Sequence, residues 1–165
     1  MAKTFYAGGA RSKKKLRVIV DDIDSDLAEI SWSLHSYGYA VRTVKYNDGS
    51  GASVYLHRTV LERKLGRNLN PGEKVDHSNR NKRDNRRSNL RLATQSQNIF
   101  NGKLRTNNSS GHTGVSWFKR TSSWKVRIVV NYADIHLGYF KNLEDAVDCY
   151  RQAAKKYFGQ YANNA

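Results

Sequence analysis

The chain has 165 residues and a formal net charge of +15, with a pI near 10.1. This excess of Lys and Arg fits a polyanionic partner, either nucleic acid or an anionic membrane surface. No segment approaches the ~20 consecutive apolar residues that span a bilayer, and the N-terminus has no apolar run of the signal-peptide kind, so membrane association and secretion are not expected. We therefore expect an intracellular protein, in the cytoplasm of a host cell if it is encoded by a phage, that binds nucleic acid.

Composition also bounds the domain organisation. Hydrophobic residues make up 38% of the chain and the mean hydropathy is -0.77, which is lean for one shared core and favours several small modules. The single cysteine, Cys149, excludes disulfides within the chain and a cysteine-clustered zinc site. It lies in a helix-like segment, where a small packing role is expected, and it is compatible with a reducing compartment.

The first segment, residues 1–15, combines Gly-Gly with a basic run and is predicted to be a flexible basic arm. Residues 16–20 predict a strand, and an acidic turn at 21–26 leads into a short helix at 27–30. Clustered aspartates at such a turn either bind a metal or cap the helix and balance nearby cations, and the second role is the more typical.

Three strand-like segments follow, at residues 32–34, 39–44 and 54–57, separated by Gly-containing turns that favour a small antiparallel sheet. The aromatic residues of this sheet either form its core or stack on bases. His57, at the end of the third segment, either is structural or lies near an active site. Residues 59–66 predict a short helix that ends at a glycine.

The central region is a basic, polar segment between two short strand patterns, at residues 73–77 and 90–93. Between residues 80 and 105 the chain has eight Lys or Arg against one Asp. Most charge runs are solvated loops, but this one is held between strands and precedes a helix start, so it can place a polyanion against Asp76 and His77. This pattern predicts a nuclease site.

The helix start is a capping box, Thr94-Gln95-Ser96-Gln97, which places Asn98 in the first helical turn. A hairpin followed by this helix is expected to bring Asp76, at the end of the first strand, close to Asn98. Two oxygen ligands leave the other positions of a hard divalent cation to water and substrate phosphate, an arrangement typical of Mg²⁺, with Mn²⁺ as an alternative. The neighbouring His77 can act as a general base near neutral pH.

The motifs Asp76-His77, Asp84-Asn85-Arg86, Asn89-Leu90-Arg91 and Asn98 resemble, in that order, those of the HNH endonucleases, and in particular the phage and intron-encoded homing enzymes. The resemblance implies a ββα-metal fold in which Asp76 and Asn98 hold the metal. It also implies that His77 and Asn89 are catalytic, with His77 as general base and Asn89 bracing the loop that aims it. Trp…Gly-Tyr-Ala and Tyr-Leu-His-Arg segments like those that precede the site in this group support one nuclease unit at residues 16–105.

Two positions depart from the group. Ser78 stands where an apolar residue is common, and Arg80 stands where a glycine is common, so Arg80 could strain its turn while adding a phosphate contact. The basic residues of the loop and the second strand are expected to contact DNA phosphates: Arg80, Lys82, Arg83, Arg86, Arg87 and Arg91.

A second module follows a polar, flexible linker at residues 106–112. Its pattern is three strands, at 114–118, 124–130 and 133–140, and then a helix at 143–157 behind Asn142 as N-cap. Alternation in the middle strand places Lys125 and Arg127 on the face opposite Val126 and Ile128.

Residues 113–162 resemble the plant ethylene-response-factor DNA-binding domain through Thr113-Gly114-Val115, the Trp124 strand, Leu137-Gly138-Tyr139-Phe140 and Glu144-Asp145-Ala146. The resemblance implies that the sheet docks in the major groove. The positions at which plant members read bases differ here, so the docking mode transfers but the sequence preference does not: Thr113, Ser116, Phe118, Asp134 and His136. The residues expected to contact DNA are Lys119, Arg120, Lys125, Arg127 and His136.

Together these patterns predict an α+β chain: a ββα-metal core preceded by a small antiparallel sheet, and a C-terminal three-stranded antiparallel sheet packed on one helix. The function expected first is metal-dependent hydrolysis of double-stranded DNA by a monomer, and one site per chain favours nicking. The alternatives are a catalytically silent DNA-binding or regulatory protein and an RNA-binding protein.

Overall fold

The computed structural model describes residues 1–8, 15–102, 104 and 108–162. It divides into two compact units, Met1–Ala93 and Thr94–Ala165. Both mix short helices with small antiparallel sheets, and the second contains a three-stranded sheet packed on a helix. The predicted α+β fold class is therefore confirmed.

The first unit contains three small sheets, all antiparallel, of order β1-β2, β3-β4-β5 and β6-β7. Its strands are β1 (Ala2–Ala7), β2 (Leu16–Asp21), β3 (Ser33–Leu34), β4 (Ala40–Lys45), β5 (Gly51–Tyr55), β6 (Lys74–His77) and β7 (Leu90–Ala93). Its helices are a 3-10 helix at Asp22–Glu29 and α1 at Leu56–Leu65.

The predicted basic arm at residues 1–15 is wrong for its first half, because Ala2–Ala7 pairs along its whole length with β2. Ala7 is fully buried and Phe5 packs against the core. Phe5 and Ala7 are two residues apart and both point into the core, which is the alternation of a strand. In the sequence this alternation is short, and the neighbouring Gly-Gly pair and lysines obscure it. The rest of the arm, at residues 9–14, lies outside the described residues.

The core of the first unit is formed by side chains from β1, β2, the 3-10 helix and α1. In α1, Leu56, Val60 and Leu61 are buried at helical spacing, and Gly66 ends the helix in the left-handed conformation as predicted. The predicted strand at 54–57 ends at Tyr55, because Leu56 belongs to this helical stripe. As a result His57 lies in the first turn of α1 and not on a strand.

The second unit contains α2 (Gln95–Phe100), β8 (Val115–Phe118), β9 (Ser123–Val130), β10 (Ala133–Phe140) and α3 (Leu143–Phe158). Short 3-10 helices occur at Lys119–Thr121 and Gly159–Tyr161. The sheet has the order β10-β9-β8, and one of its faces packs on α3. Asn142 caps α3 by accepting a hydrogen bond from the Glu144 N–H.

Helix α2 packs with the C-terminal module, because Phe100 stacks on Phe158 and Tyr150 at ring-centroid distances of 4.1 and 6.1 Å. The division into compact units falls between Ala93 and Thr94. The extent of the nuclease unit, predicted as residues 16–105, stays a prediction. Of the predicted linker, Thr106 and Asn107 lie outside the described residues. Residues 108–112 form a hydrogen-bonded turn joined to β8, with Ser110 Oγ 2.7 Å from the Val115 carbonyl oxygen.

No helix within the described ranges is long and apolar enough to cross a membrane.

Candidate active site and nucleic-acid surface

The β6-β7 hairpin places Asp76 opposite Arg91 and His77 opposite Leu90. Asp76 and His77 are only 2% and 5% exposed. Residues opposite each other in an antiparallel pair share a face, so the Arg91 guanidinium reaches the Asp76 carboxylate. Arg91 Nε and Nη2 each lie 2.7 Å from Asp76 Oδ2. The predicted metal ligand is thus buried in an ion pair.

His77 is held by Asn85, whose Oδ1 lies 3.2 Å from His77 Nε2. The Asn85 amide nitrogen donates to the Arg83 carbonyl oxygen at 3.3 Å, so the oxygen of the amide is the end that faces His77. An amide oxygen only accepts, hence His77 carries its proton on Nε2 and has its lone pair on Nδ1. Burial lowers the pKa of His77, and the bond to Asn85 offsets only part of this shift. The imidazole is therefore neutral near pH 7.

Asn89 joins both ends of the loop between β6 and β7. Its Oδ1 accepts from the Asn79 N–H at 2.9 Å, and its Nδ2 donates to the Asp84 carbonyl oxygen at 2.7 Å. The Asn89 carbonyl also accepts from the Ser78 N–H at 2.9 Å. These contacts fix the backbone of the turn that follows His77. This is the geometry that Asn89 needs for the bracing role that the resemblance implies.

Strand β2 forms backbone hydrogen bonds to the loop between β6 and β7. The Ile19 N–H donates to the Arg83 carbonyl at 2.9 Å, and the Asn85 N–H donates to the Ile19 carbonyl at 2.8 Å. On either side of Ile19, Val18 and Val20 are fully buried. The backbone of Asn85, and with it the partner of His77, is thus joined to a core strand.

The aspartates of the acidic turn form ion pairs with arginine side chains. Asp24 is fully buried and accepts from Arg87 Nε and Nη2 at 2.7 and 2.9 Å, while Asp21 accepts from the Arg87 N–H at 2.7 Å. Arg63 makes a bidentate pair with Asp26 at 2.7 and 2.8 Å. These aspartates therefore have the charge-balancing role that is typical of such turns, and their partners are arginines.

Three arginines expected on DNA have internal partners. Arg87 pairs with Asp24 and Arg91 with Asp76, as described. Arg86 binds Asp84 through Nε and Nη2 at 2.8 and 2.7 Å, and its guanidinium holds the pKa of Asp84 below the ordinary value. Sequence alone could not show these partners, because a charge run gives no information on where each side chain points. We therefore leave these three out of the DNA surface proposed below.

The other three loop cations, Arg80, Lys82 and Arg83, are exposed. Lys82 Nζ donates to the Tyr37 carbonyl at 3.1 Å and lies 4.6 Å from the centre of the Tyr39 ring. Arg80 has φ of 61°, in the left-handed region that favours glycine. The strain expected from the missing glycine is therefore present.

Replacing Arg80 with glycine is expected to raise the free energy of unfolding by about 0.5–1 kcal/mol, because relief of left-handed strain exceeds the added chain entropy. Chemical denaturation measures the change. Arg80→Ala is the matched control, since it removes the same charge but keeps the Cβ. Equal stabilisation of both variants would show that charge repulsion, and not backbone strain, limits this turn.

His57 is a site residue that sequence reasoning left undecided. Its ring centroid lies 5.4 Å from that of His77 and 4.8 Å from that of Tyr39. His57 Nδ1 is buried and has no hydrogen-bond partner among the described residues. Burial, and then the neighbouring His77 and Arg58, lower the pKa of His57 to about 3. The only signal for this position in the sequence was its place in the Tyr-Leu-His-Arg segment.

The depressed pKa of His57 predicts a pH-dependent stability. A neutral histidine whose folded pKa is about 3 and whose unfolded pKa is 6.5 contributes its full stability above pH 6.5 and loses it as the pH falls toward 3. We expect the wild type to lose stability relative to His57→Asn, which cannot titrate, over this interval. Urea denaturation of both proteins from pH 7 to pH 4 measures the difference, and a difference that stays constant would contradict the prediction.

Asn98 lies on α2, in the second unit. The predicted capping box is confirmed: Thr94 Oγ1 accepts from the Gln97 N–H at 3.2 Å, and the Gln97 side chain accepts from the Thr94 N–H at 2.8 Å. Asp76 and Asn98 offer carboxylate and amide oxygens, which suit a hard divalent cation. No group of three or more His, Cys, Asp or Glu that could hold a metal occurs in the part of the chain that the structure describes.

The open face of the C-terminal sheet combines basic and aromatic side chains. Cross-strand pairing places Lys125 beside Tyr139 and Arg127 beside His136, and a bulge between His136 and Gly138 brings both ring residues to this face. Arg127 also pairs with the exposed Asp134 at 2.9 Å. Lys119 and Arg120 are exposed at the β8-β9 turn. All five residues predicted to contact DNA are thus on this face or beside it.

Comparison with known proteins identifies a family whose model covers the β6-β7 hairpin and its loop. Residues 54–99 match the family model for HNH endonucleases. An uncharacterized HNH endonuclease of Acanthamoeba polyphaga mimivirus is 30% identical over 136 residues, an alignment that covers 82% of this chain and 67% of the relative. The matched segment begins just before α1 and contains Asp76, His77, Asn89 and Asn98. The chain therefore belongs to the HNH endonuclease family.

Proposed function

We propose that this chain is a metal-dependent DNA endonuclease of the homing type, which hydrolyses phosphodiester bonds of double-stranded DNA as a monomer. His77 is the general base, and Asp76 and Asn98 hold a divalent cation, magnesium in the first instance and manganese as an alternative. The observation that carries the proposal is the state of His77. It is buried directly beside Asp76, is neutral near pH 7, and has its proton fixed on Nε2 by Asn85.

In this reaction His77 Nδ1 takes the proton of the water that attacks phosphorus, and Asn85 stabilises the imidazolium that forms through the Nε2–H bond. Asn89 keeps the turn after His77 in place, so that the ring does not have to reorganise during the step. When bound, the cation supplies Lewis-acid stabilisation of charge on the phosphate and on the departing 3′ oxygen. The product ends are then a 3′-hydroxyl and a 5′-phosphate.

Two surfaces are proposed to bind the DNA backbone. The first is the exposed part of the β6-β7 loop, with Arg80, Lys82 and Arg83. The second is the open sheet face of the C-terminal unit, with Lys119, Arg120, Lys125, Arg127 and His136. A docking mode like that of the plant ethylene-response-factor domain is proposed for this sheet. Its charges contact phosphates and position the chain, and no base-reading role is assigned to them.

The test of the chemistry is incubation of the full chain with supercoiled plasmid and Mg²⁺, with and without chelator. We expect nicked circles that appear only when the metal is present, because one site cuts one strand. DNA binding with no cleavage under any divalent metal would favour the alternative, a silent DNA-binding protein. Stronger competition by RNA than by duplex DNA would favour an RNA-binding function.

The role of the sheet is tested with surface variants. Truncation after Leu104 would remove Phe158 and Tyr150 from Phe100 and so damage α2. We expect Lys125→Gln/Arg127→Gln to weaken DNA binding and to lower the slope of log Kd against log salt concentration by about one for each lost phosphate contact. The matched control is Lys155→Gln/Lys156→Gln on α3, which removes the same charge from the exposed surface of the helix. Equal effects of the two pairs would show that net charge, and not this face, binds DNA.

A further inference from the structure

The Asp76–Arg91 pair has a consequence for any cation that binds Asp76. Two nitrogens of the Arg91 guanidinium, Nε and Nη2, approach the same carboxylate oxygen at 2.7 Å. The side chain of Asp76 is 3% exposed and that of Arg91 is 20% exposed, so water screens this pair weakly. The register of β6 and β7 fixes the two residues opposite each other, so the pair is part of the hairpin and not a chance surface contact.

The pair changes the charge that a cation meets. Asp76 supplies one negative charge and Asn98 supplies none, so the proposed ligand set has a total charge of minus one. Arg91 cancels that charge in the free protein. A divalent cation that approaches Asp76 therefore meets a neutral site with a guanidinium in contact with its carboxylate, and repulsion in a weakly screened environment is strong. A phosphate group brought by DNA restores the missing negative charge.

We propose that Arg91 is a positioning residue that serves as the resident counter-charge of Asp76, and that it thereby makes cation binding at this site depend on bound DNA. The inference rests on the proposed function, because it takes Asp76 as a metal ligand. In the free protein Arg91 keeps the buried carboxylate oriented. In the complex Arg91 stays paired with Asp76, a phosphate of the bound DNA adds negative charge at the site, and the cation binds as the third partner.

Linkage makes the proposal measurable. If DNA raises the affinity of the site for the cation, the cation raises the affinity for DNA by the same factor. The experiment uses the full chain with His77→Ala, so that DNA stays intact. Mn²⁺ is titrated into the free chain and into its complex with a saturating short duplex, free Mn²⁺ is read from its electron paramagnetic resonance signal, and Mn²⁺ bound by the duplex alone is subtracted. We expect binding at least about tenfold tighter in the complex.

Substitution of Arg91 tests the cause. In the same background Arg91→Gln should bind Mn²⁺ at least about tenfold tighter without DNA and should show a smaller difference between free and bound states. Arg91→Lys retains the charge and should behave like the parent. Equal Mn²⁺ affinity of the parent with and without DNA, or unchanged affinity in Arg91→Gln, would overturn the proposal.

The chain offers a matched control in Arg86, which binds the equally buried Asp84 through the same two nitrogens but lies outside the proposed ligand set. Arg86→Gln and Arg91→Gln should both lower the thermal unfolding temperature in chelator, because each removes the guanidinium that pairs with a buried carboxylate. Mn²⁺ should restore the temperature of Arg91→Gln alone. Restoration of both variants, or of neither, would contradict a role specific to Arg91.

The outcomes separate this inference from the proposed function. If Mn²⁺ binds the parent neither with nor without DNA beyond an Asp76→Asn reference, the assignment of Asp76 as a ligand fails and both proposals fall. If Mn²⁺ binds the parent equally well in both states and Asp76→Asn abolishes that binding, the ligand assignment stands and only the role of Arg91 is wrong.

Discussion

Replacing His77 with alanine is expected to reduce turnover by roughly 10²–10⁴-fold, because a general base acts in the transition state. DNA affinity should change little. His77 is 5% exposed as a residue, so it offers almost no surface for a direct DNA contact. Single-turnover cleavage of plasmid and a gel-shift assay in chelator measure the two quantities on the same protein preparation.

His35→Ala is the matched control for this substitution. His35 lies in the same unit but stacks on the exposed Tyr37, at a ring-centroid distance of 5.2 Å, and is not bonded to Asn85. Its loss should leave the cleavage rate unchanged. If His77→Ala cleaves at the wild-type rate from pH 6 to pH 9, another group accepts the proton and the assignment of His77 fails.

Removal of either proposed ligand should cost at least ~100-fold in metal-dependent cleavage, because a site with few protein ligands cannot replace one. Asp76→Asn and Asn98→Ala are the two variants. Asp76→Asn retains the shape of the side chain but removes the charge that faces Arg91, so we also expect it to lower the unfolding temperature.

Cleavage at saturating DNA, measured with Mg²⁺ and with Mn²⁺, gives the size of each loss, and binding in chelator shows whether the DNA surface survives. Gln95→Ala is the control on α2, since it lies on the same short helix and is exposed. A parallel loss of binding and cleavage in both ligand variants would point to misfolding or to a DNA contact, and would reject the ligand assignment.

Local patterns in the sequence predicted the parts of the fold that depend on local physics. The bounds of strands β6 and β7 were predicted to within one residue. The C-terminal order of three strands followed by a helix was also predicted, and the bounds of these elements were again within one residue. The capping box at Thr94 and the cap at Asn142 follow from side-chain chemistry within one turn of helix, so they needed no tertiary information.

Contacts between distant residues could not be predicted in the same way. Asn85 orients His77 only because β2, far away in the chain, holds the Asn85 backbone, and no periodicity encodes this pairing. The partners of Arg87 and Arg91 are likewise set by the fold. His57 joins the histidine pair because the helix begins at Leu56, a boundary that the apolar and aromatic run at 54–57 concealed.

The pairing of Ile19 with Arg83 and Asn85 also determines how the loop moves. Amide hydrogens that bond to a core strand exchange with solvent only when that strand opens, so the amide of Asn85 should exchange nearly as slowly as those of β2 although its segment has no regular secondary structure. If His77 is the base of the proposed reaction, its support opens only with the core, so it is in its working geometry before any substrate arrives. Under the proposed function, discrimination among DNA targets then depends on which duplexes can reach this rigid centre, and not on an induced fit of the loop.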